Sequence, residues 1–340
     1  RIRPNKKNDL IRVTPIAMKA TTLKKAAVYA GSLSFLAGSV FAQTAVSGAG
    51  GYRTETIEQG FNVVGVNLHN PVIVSGSLDT SNGAEVGDST VDYGAILSAD
   101  ETYIFEVLDG DQAGAIAEIS AAGNGSVTLD GDIGDINGAA YSIRKAPTLN
   151  ETFGGLTAGF TAAGADVVWV PTGEAAPNNF AQYFKHSTGN FRAAGSFSDP
   201  AKPISFLYSD AVLIERKAAD PLPIVITGMV KTVGTVVNIP EGFGPVAVSA
   251  PVGSTLQDSG LAAVLTPGFT AAGADVIWVP NGPQEANAFN QYFVHTSGGI
   301  RAAGSFADAD PVSVKNGLLI ERKSEGTAGL LTVPDFYANL

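Results

Sequence analysis

The sequence predicts an all-β protein: a tandem duplication of β-sandwich or small β-barrel domains, with a small inserted β-barrel or meander module in the first copy. Three observations predict it. The stretch "GFTAAGADVVWVP" at 159–171 returns as "GFTAAGADVIWVP" at 268–280, with Val168 against Ile277 as the single change. Runs such as "ADVVWVP", "VLIERK", "GPVAVSA" and "PIVITGMV" are short, β-branched and bounded by Gly, Pro, Asn or Asp, the pattern of strands between turns. The 40 Gly and 18 Pro punctuate the chain, and no segment after residue 42 carries a capped apolar stripe of helical period.

The N-terminus reads differently from the rest. From Met18, Lys19, Lys24 and Lys25 form a positive segment, residues 26–41 are uncharged and mostly apolar, and Val40 and Ala42 are small enough for a signal-peptidase site. A secretory signal peptide is expected over 18–42, cleaved after Ala42, behind an upstream extension over 1–17. A buried helix of a cytosolic protein is the competing reading.

Residues 1–42 hold eight Lys/Arg against Asp9 alone, so the remainder holds 13 basic and 31 acidic residues, a net charge of −18. Such a surface repels phosphate backbones, which argues against nucleic-acid partners. The chain has no cysteine, which excludes thiol catalysis and Cys-ligated zinc or iron–sulfur sites. No apolar run after the signal approaches the roughly 20 residues of a membrane helix, so no membrane-spanning segment is expected once the signal is removed.

The repeat extends beyond its first thirteen residues. "FAQYFKHSTGNFRAAGSFSD" (180–199) matches "FNQYFVHTSGGIRAAGSFAD" (289–308), and "AVLIERK" (211–217) matches "GLLIERK" (317–323). Upstream, residues 44–71 match 224–251 more faintly, each an alternating run, a Gly-Phe turn and a second apolar run. The expected organisation is a first repeat domain over 43–71 plus 150–219, an inserted β module over 72–149, and a second repeat domain over 220–340. In the insert, "ETYIFEVLDG", "GAIAEIS", "GNGSVTLDGD" and "AAYSIRK" read as strands joined by acidic, Gly-rich turns.

Several repeated residues admit a functional reading. Trp169 and Trp278, with Tyr183 and Tyr292, are candidates for an aromatic platform under a sugar ring. A tryptophan anchoring each core explains the same pattern. His186 and His295 lack a nucleophile motif and read as structural, and His69 has no counterpart in the second copy. Asp166, Arg192 and Glu215, repeated as Asp275, Arg301 and Glu321, are expected to supply an Arg–carboxylate pair in each domain, since the guanidinium fork suits a carboxylate. In "LDGDIGDING" (129–138), Asp130, Asp132 and Asp135 are candidate calcium ligands, as hard cations take clustered oxygens on tight turns. Gly134 stands where a third ligand belongs, and a solvated hairpin tip is the alternative.

The doubled D-V-[VI]-W-V-P, Q-Y-F, R-A-A-G and L-I-E-R-K frame, the opening Q-G-F-N-V-V-G-V-N-L and the signal peptide resemble an uncharacterised family of secreted proteins with many paralogues in Verrucomicrobia. The resemblance covers most of the chain after the signal. It implies export in a Gram-negative bacterium, to the cell surface, periplasm or medium, and it supplies no catalytic residues.

The function expected is that of an exported, non-enzymatic structural or adhesive protein of the cell surface or extracellular matrix. Its partners would be polysaccharide, other envelope or matrix proteins, or further copies of itself. The alternatives are an extracellular polysaccharide-binding module and a secreted carboxylate-dependent hydrolase. No cofactor is expected beyond calcium.

Overall fold

The runs singled out by β-branching form strands in the computed structural model of the protein, which describes residues 49–172, 180–207, 211–237, 239, 241–248, 254–281, 289–305, 307–309, 317–323 and 329–331. The upstream extension and signal peptide expected over 1–17 and 18–42 lie outside these residues. The fold is all-β. Its only α-helices among the described residues are two single turns, α1 (Tyr93–Ile96) and α2 (Leu149–Phe153). Among the same residues no helix is long and apolar enough to cross a membrane.

The first repeat opens with β1 (Gly50–Ile57), β2 (Gly60–Gly65) and β3 (Leu68–His69). The insert follows as β4 (Val72–Ser77), β5 (Thr80–Asn82), β6 (Glu85–Asp92), β7 (Tyr103–Val107), β8 (Ile116–Ala122), β9 (Asn124–Leu129) and β10 (Ala140–Lys145). The first repeat then resumes with β11 (Val167–Pro171), β12 (Phe180–Lys185), β13 (Phe191–Ala193), β14 (Ala211–Arg216) and β15 (Leu222–Val230). The second repeat comprises β16 (Thr235–Val237), β17 (Gly242–Ala247), β18 (Val276–Pro280), β19 (Phe289–Val294), β20 (Ile300–Ala302), β21 (Gly317–Arg322) and β22 (Gly329–Leu331).

The two repeats build the same five-stranded antiparallel sheet. Its order is β13-β12-β11-β14-β2 in the first and β20-β19-β18-β21-β17 in the second. Register repeats too: Trp169 pairs with Gln182 and Leu213, and Trp278 with Gln291 and Leu319. Each repeat also closes on itself. β15 follows β14 and pairs along the whole length of β1, as β22 follows β21 and pairs with β16. "PIVITGMV", taken from the sequence as the start of the second repeat, is therefore hydrogen-bonded as the closing strand of the first.

Alternation decides which residues fill the interior. Val64 and Val66, Val168 and Val170, and Val212 and Ile214 point to one side of the first sheet. They pack with Ile57, Ile224, Ile226, Phe153 and Phe191. The second repeat repeats this core with Val246, Val248, Ile277, Val279, Leu318 and Ile320. The repeats meet through a close backbone approach at Gly317. A Cβ there would lie 2.5 Å from the Gly65 nitrogen and 2.8 Å from the Val64 carbonyl carbon. This contact accounts for glycine in "GLLIERK" where the first copy has Ala211.

The insert forms its own seven-stranded antiparallel sheet, in the order β4-β10-β7-β8-β9-β6-β5, over a separate apolar core. Phe105 stacks on Tyr141 at 5.3 Å between ring centroids. The buried Tyr93 hydroxyl donates to that of Tyr141 (2.7 Å), which donates to Asp88 (3.2 Å), so these core tyrosines are hydrogen-bonded. The chain leaves the insert through α2, whose N-terminus is closed by a reciprocal box between Thr148 and Glu151.

Candidate functional site

Each of the repeated polar residues takes a defined place. Asp166 is fully buried. Its Oδ1 accepts the Lys217 N–H (2.9 Å), and its Oδ2 accepts the Thr157 N–H (2.8 Å) and Arg216 Nη1 (3.0 Å). Arg216 also donates to the Asp220 carbonyl through Nε and Nη2, at 2.8 and 2.6 Å. Asp275 repeats the arrangement with the N–H groups of Lys323 (2.9 Å) and Thr266 (2.8 Å), and with Arg322 at 3.8 Å. The buried Arg–carboxylate pairs are thus Asp166–Arg216 and Asp275–Arg322.

Of the arginines expected in these pairs, Arg192 instead donates from Nε to Asp199 (2.7 Å), and Arg301 stands 3.8 Å from Asp308 as an ion pair without a hydrogen bond, both near the surface. Glu215 and Glu321 pair with Lys217 and Lys323, two residues along the same chain. The signal for Arg216 and Arg322 lay in L-I-E-R-K. Period-two alternation carries the core face through Val212 and Ile214 to Arg216, and through Leu318 and Ile320 to Arg322. An arginine on that face requires a buried acid.

The aromatic candidates separate. Trp169 sits in a line with Phe61 and Phe180, at 5.9 and 6.4 Å, and Trp278 with Phe243 and Phe289, at 5.6 and 6.1 Å. Tyr183 pairs directly with Val168, and Tyr292 with Ile277, so both tyrosines point to the opposite face from the tryptophans and pack on the cores. The four residues do not form one platform. The indoles are half-buried. Trp278 Nε1 donates to Glu321 (3.2 Å), whereas Trp169 Nε1 has no acceptor among the described residues.

The histidines organise turns. His186 Nδ1 accepts the Thr188 N–H (3.2 Å) and lies 2.9 Å from the Thr188 hydroxyl. His295 does the same with Ser297, at 3.1 and 2.7 Å. In the acidic turn Asp132 accepts the Gly134 N–H (2.8 Å) and Asp135 accepts the Asn137 N–H (3.1 Å), while Asp130 and Asp132 line one cleft and Asp135 lines another hollow. Among the described residues no three His, Asp or Glu side chains converge as a metal site.

Two features were not visible from spacing. The first is a buried charge cluster where the insert meets the junction of the repeats. Glu106 of β7 pairs with both Arg144 of β10 and Lys231, which follows β15. Burial alone would raise the Glu106 pKa, but Lys231 and Arg144 together hold it below the ordinary carboxylate range. With one carboxylate shared by two cations, burial also pulls Lys231 below its ordinary value. His69 lies beside them, and burial, then Arg144 and Lys231, lower its pKa to about 4.

The second is a cleft of about 720 Å³ between the insert and the first repeat. Glu118, Asp130 and Asp132 line one side, and Val170, Pro171 and Phe206 line the other. Packing around Glu118 pushes its carboxyl above the ordinary range, and the charge of Asp130 pushes the same way, against Lys202. The sequence offered Asp130 as a calcium ligand but not its cleft partner: Glu118 stands across the β8–β9 hairpin, where its carbonyl accepts the Asp130 N–H (2.8 Å), a register that the two strand runs alone do not fix. Compared with known proteins, the chain matches no family model, no curated protein and no solved structure.

Proposed function

We propose that the chain is an exported, non-enzymatic structural or adhesive protein of the cell surface or extracellular matrix. The observation that carries this reading is how the repeated polar side chains are used. Asp166 and Asp275 hold backbone N–H groups and a buried arginine, His186 and His295 hold their own turns, and Glu215 and Glu321 pair with the next lysine. Residues duplicated for catalysis would converge on a cleft with exposed reactive atoms. These are engaged within their own sheets. The acidic balance after residue 42 and the signal-like pattern of residues 18–42 support export.

Protease treatment of intact cells of the native host, followed by immunoblotting, tests the location. The expected result is digestion of a species lacking residues 1–42, together with weaker adhesion or matrix retention in a deletion strain. An intact, protease-protected cytosolic species would contradict it. A second reading, hydrolysis, draws on the cleft, where the Glu118 carboxyl, pushed above its ordinary range, stands beside Asp130. Release of reducing sugar from a glycan panel, abolished by Glu118→Gln, would favour hydrolysis over the scaffold.

A further inference from the structure

The near-identity of the two "GFTAAGADV[VI]WVP" stretches extends to residues the cores do not use. Its single change, Val168 to Ile277, falls on a side chain buried completely in both copies. Its exposed positions are unchanged. Phe160 and Phe269 are 74 % and 72 % exposed, and Thr161, Ala163 and Gly164 match the equally exposed Thr270, Ala272 and Gly273.

A recent duplication does not account for this. In the adjoining turn exposed residues have diverged: Ser187 is Thr296 and Thr188 is Ser297, and the exposed Asn190 gives way to the half-buried Gly299. Folding does not account for it either. Gly164 and Gly273 have open space where a Cβ would stand and no left-handed φ, so sterics do not demand glycine. Single exposed apolar side chains are ordinary on a protein surface. The same phenylalanine kept at the same place in two copies, beside changed neighbours, is not scatter.

We infer that the two GFTAAG turns are equivalent contact sites for a neutral polysaccharide. Each presents one aromatic ring, tilted against a buried histidine (Phe160 on His186 at 5.6 Å, Phe269 on His295 at 5.5 Å), beside a threonine hydroxyl and a patch without bulky side chains. A pyranose needs such a surface: its C–H face packs on an aromatic ring and its hydroxyls take hydrogen bonds at the edge. Two copies of one small site suit a ligand that itself repeats, since weak contacts then reinforce one another. The net charge of −18 over residues 43–340 disfavours a polyanion. The inference rests on the extracellular reading above and names the ligand class for it.

Retention of the full purified chain on insoluble cellulose, chitin and mannan tests it without reference to cellular location. The expected result is binding to at least one polymer, weakened about tenfold or more by Phe160→Ala or Phe269→Ala and lost in the double variant. Phe160→Tyr with Phe269→Tyr should retain binding. Circular dichroism should show each variant folded, because these rings lie outside the cores. Absence of retention on all three polymers, or a double alanine variant that binds like the parent, would overturn the inference. So would a double variant whose only change is a smaller particle mass, which would make the turns contacts between copies of the chain.

Discussion

Arg216 and Asp166, fifty residues apart in the chain, meet at 3.0 Å in the interior of the first repeat, while Arg322 and Asp275 stand 3.8 Å apart at the matching place in the second. Both carboxylates also hold two backbone N–H groups. Removing one partner of a buried pair leaves the other charge uncompensated, at about 3–5 kcal/mol. Asp166→Ala is expected to cost this amount in urea unfolding, and Asp275→Ala measurably less. The reverse order would show that the direct contact is not what matters.

The cluster at the insert junction yields a prediction of the same kind with a pH signature. Glu106→Gln leaves Arg144 and Lys231 buried without their carboxylate and should destabilise by about 3–5 kcal/mol. His69 adds a separate dependence. Its ring takes a proton near 6.5 when unfolded and about 4 when folded. The unfolded chain therefore binds more protons between those values. Stability from this group is complete above 6.5 and falls as pH drops toward 4, by roughly 3 kcal/mol. Melting temperatures measured from pH 7 to 4 should fall less steeply for His69→Gln than for the parent. Parallel curves would remove His69 from the account.

The tryptophans occupy equivalent positions with different hydrogen bonding. Trp278 donates to Glu321, and Trp169 Nε1 is buried without an acceptor among the described residues. Replacing each by phenylalanine removes a similar ring volume but a hydrogen bond only in the second repeat. Trp278→Phe should cost about 1 kcal/mol more than Trp169→Phe in denaturant unfolding. Equal costs would indicate that both indoles contribute by packing alone.

Much of this fold was legible in the sequence, because strands need only β-branched runs and turns, and a written repeat announces equivalent sheets. The boundary between repeats was less so. "PIVITGMV" resembles an opening strand, and only its pairing with β1 assigns it as a closing one. The ion pairs needed the alternation rule applied to Arg216 and Arg322, which their neighbours Glu215 and Glu321 obscured. Tyr183 and Trp169 lie near each other in the repeat, yet cross-strand register puts them on opposite faces. The charge cluster joins residues 69, 106, 144 and 231 and carries no local pattern.

The repeated stretch divides into residues that hold each fold and residues that face outward, and adjacent positions separate the two. A Cβ on Gly159 would lie 2.7 Å from the Gly164 carbonyl group, and one on Gly268 would lie 2.6 Å from the Gly273 oxygen. The next residues, Phe160 and Phe269, are largely in solvent. The most direct measurement is the urea midpoint of two double variants. Gly159→Ala with Gly268→Ala should lower it strongly, at about 1–3 kcal/mol per site. Phe160→Ala with Phe269→Ala should leave it near that of the parent, within about 0.5 kcal/mol per site. Equal losses in the two variants, or a larger loss from the phenylalanines, would contradict the account.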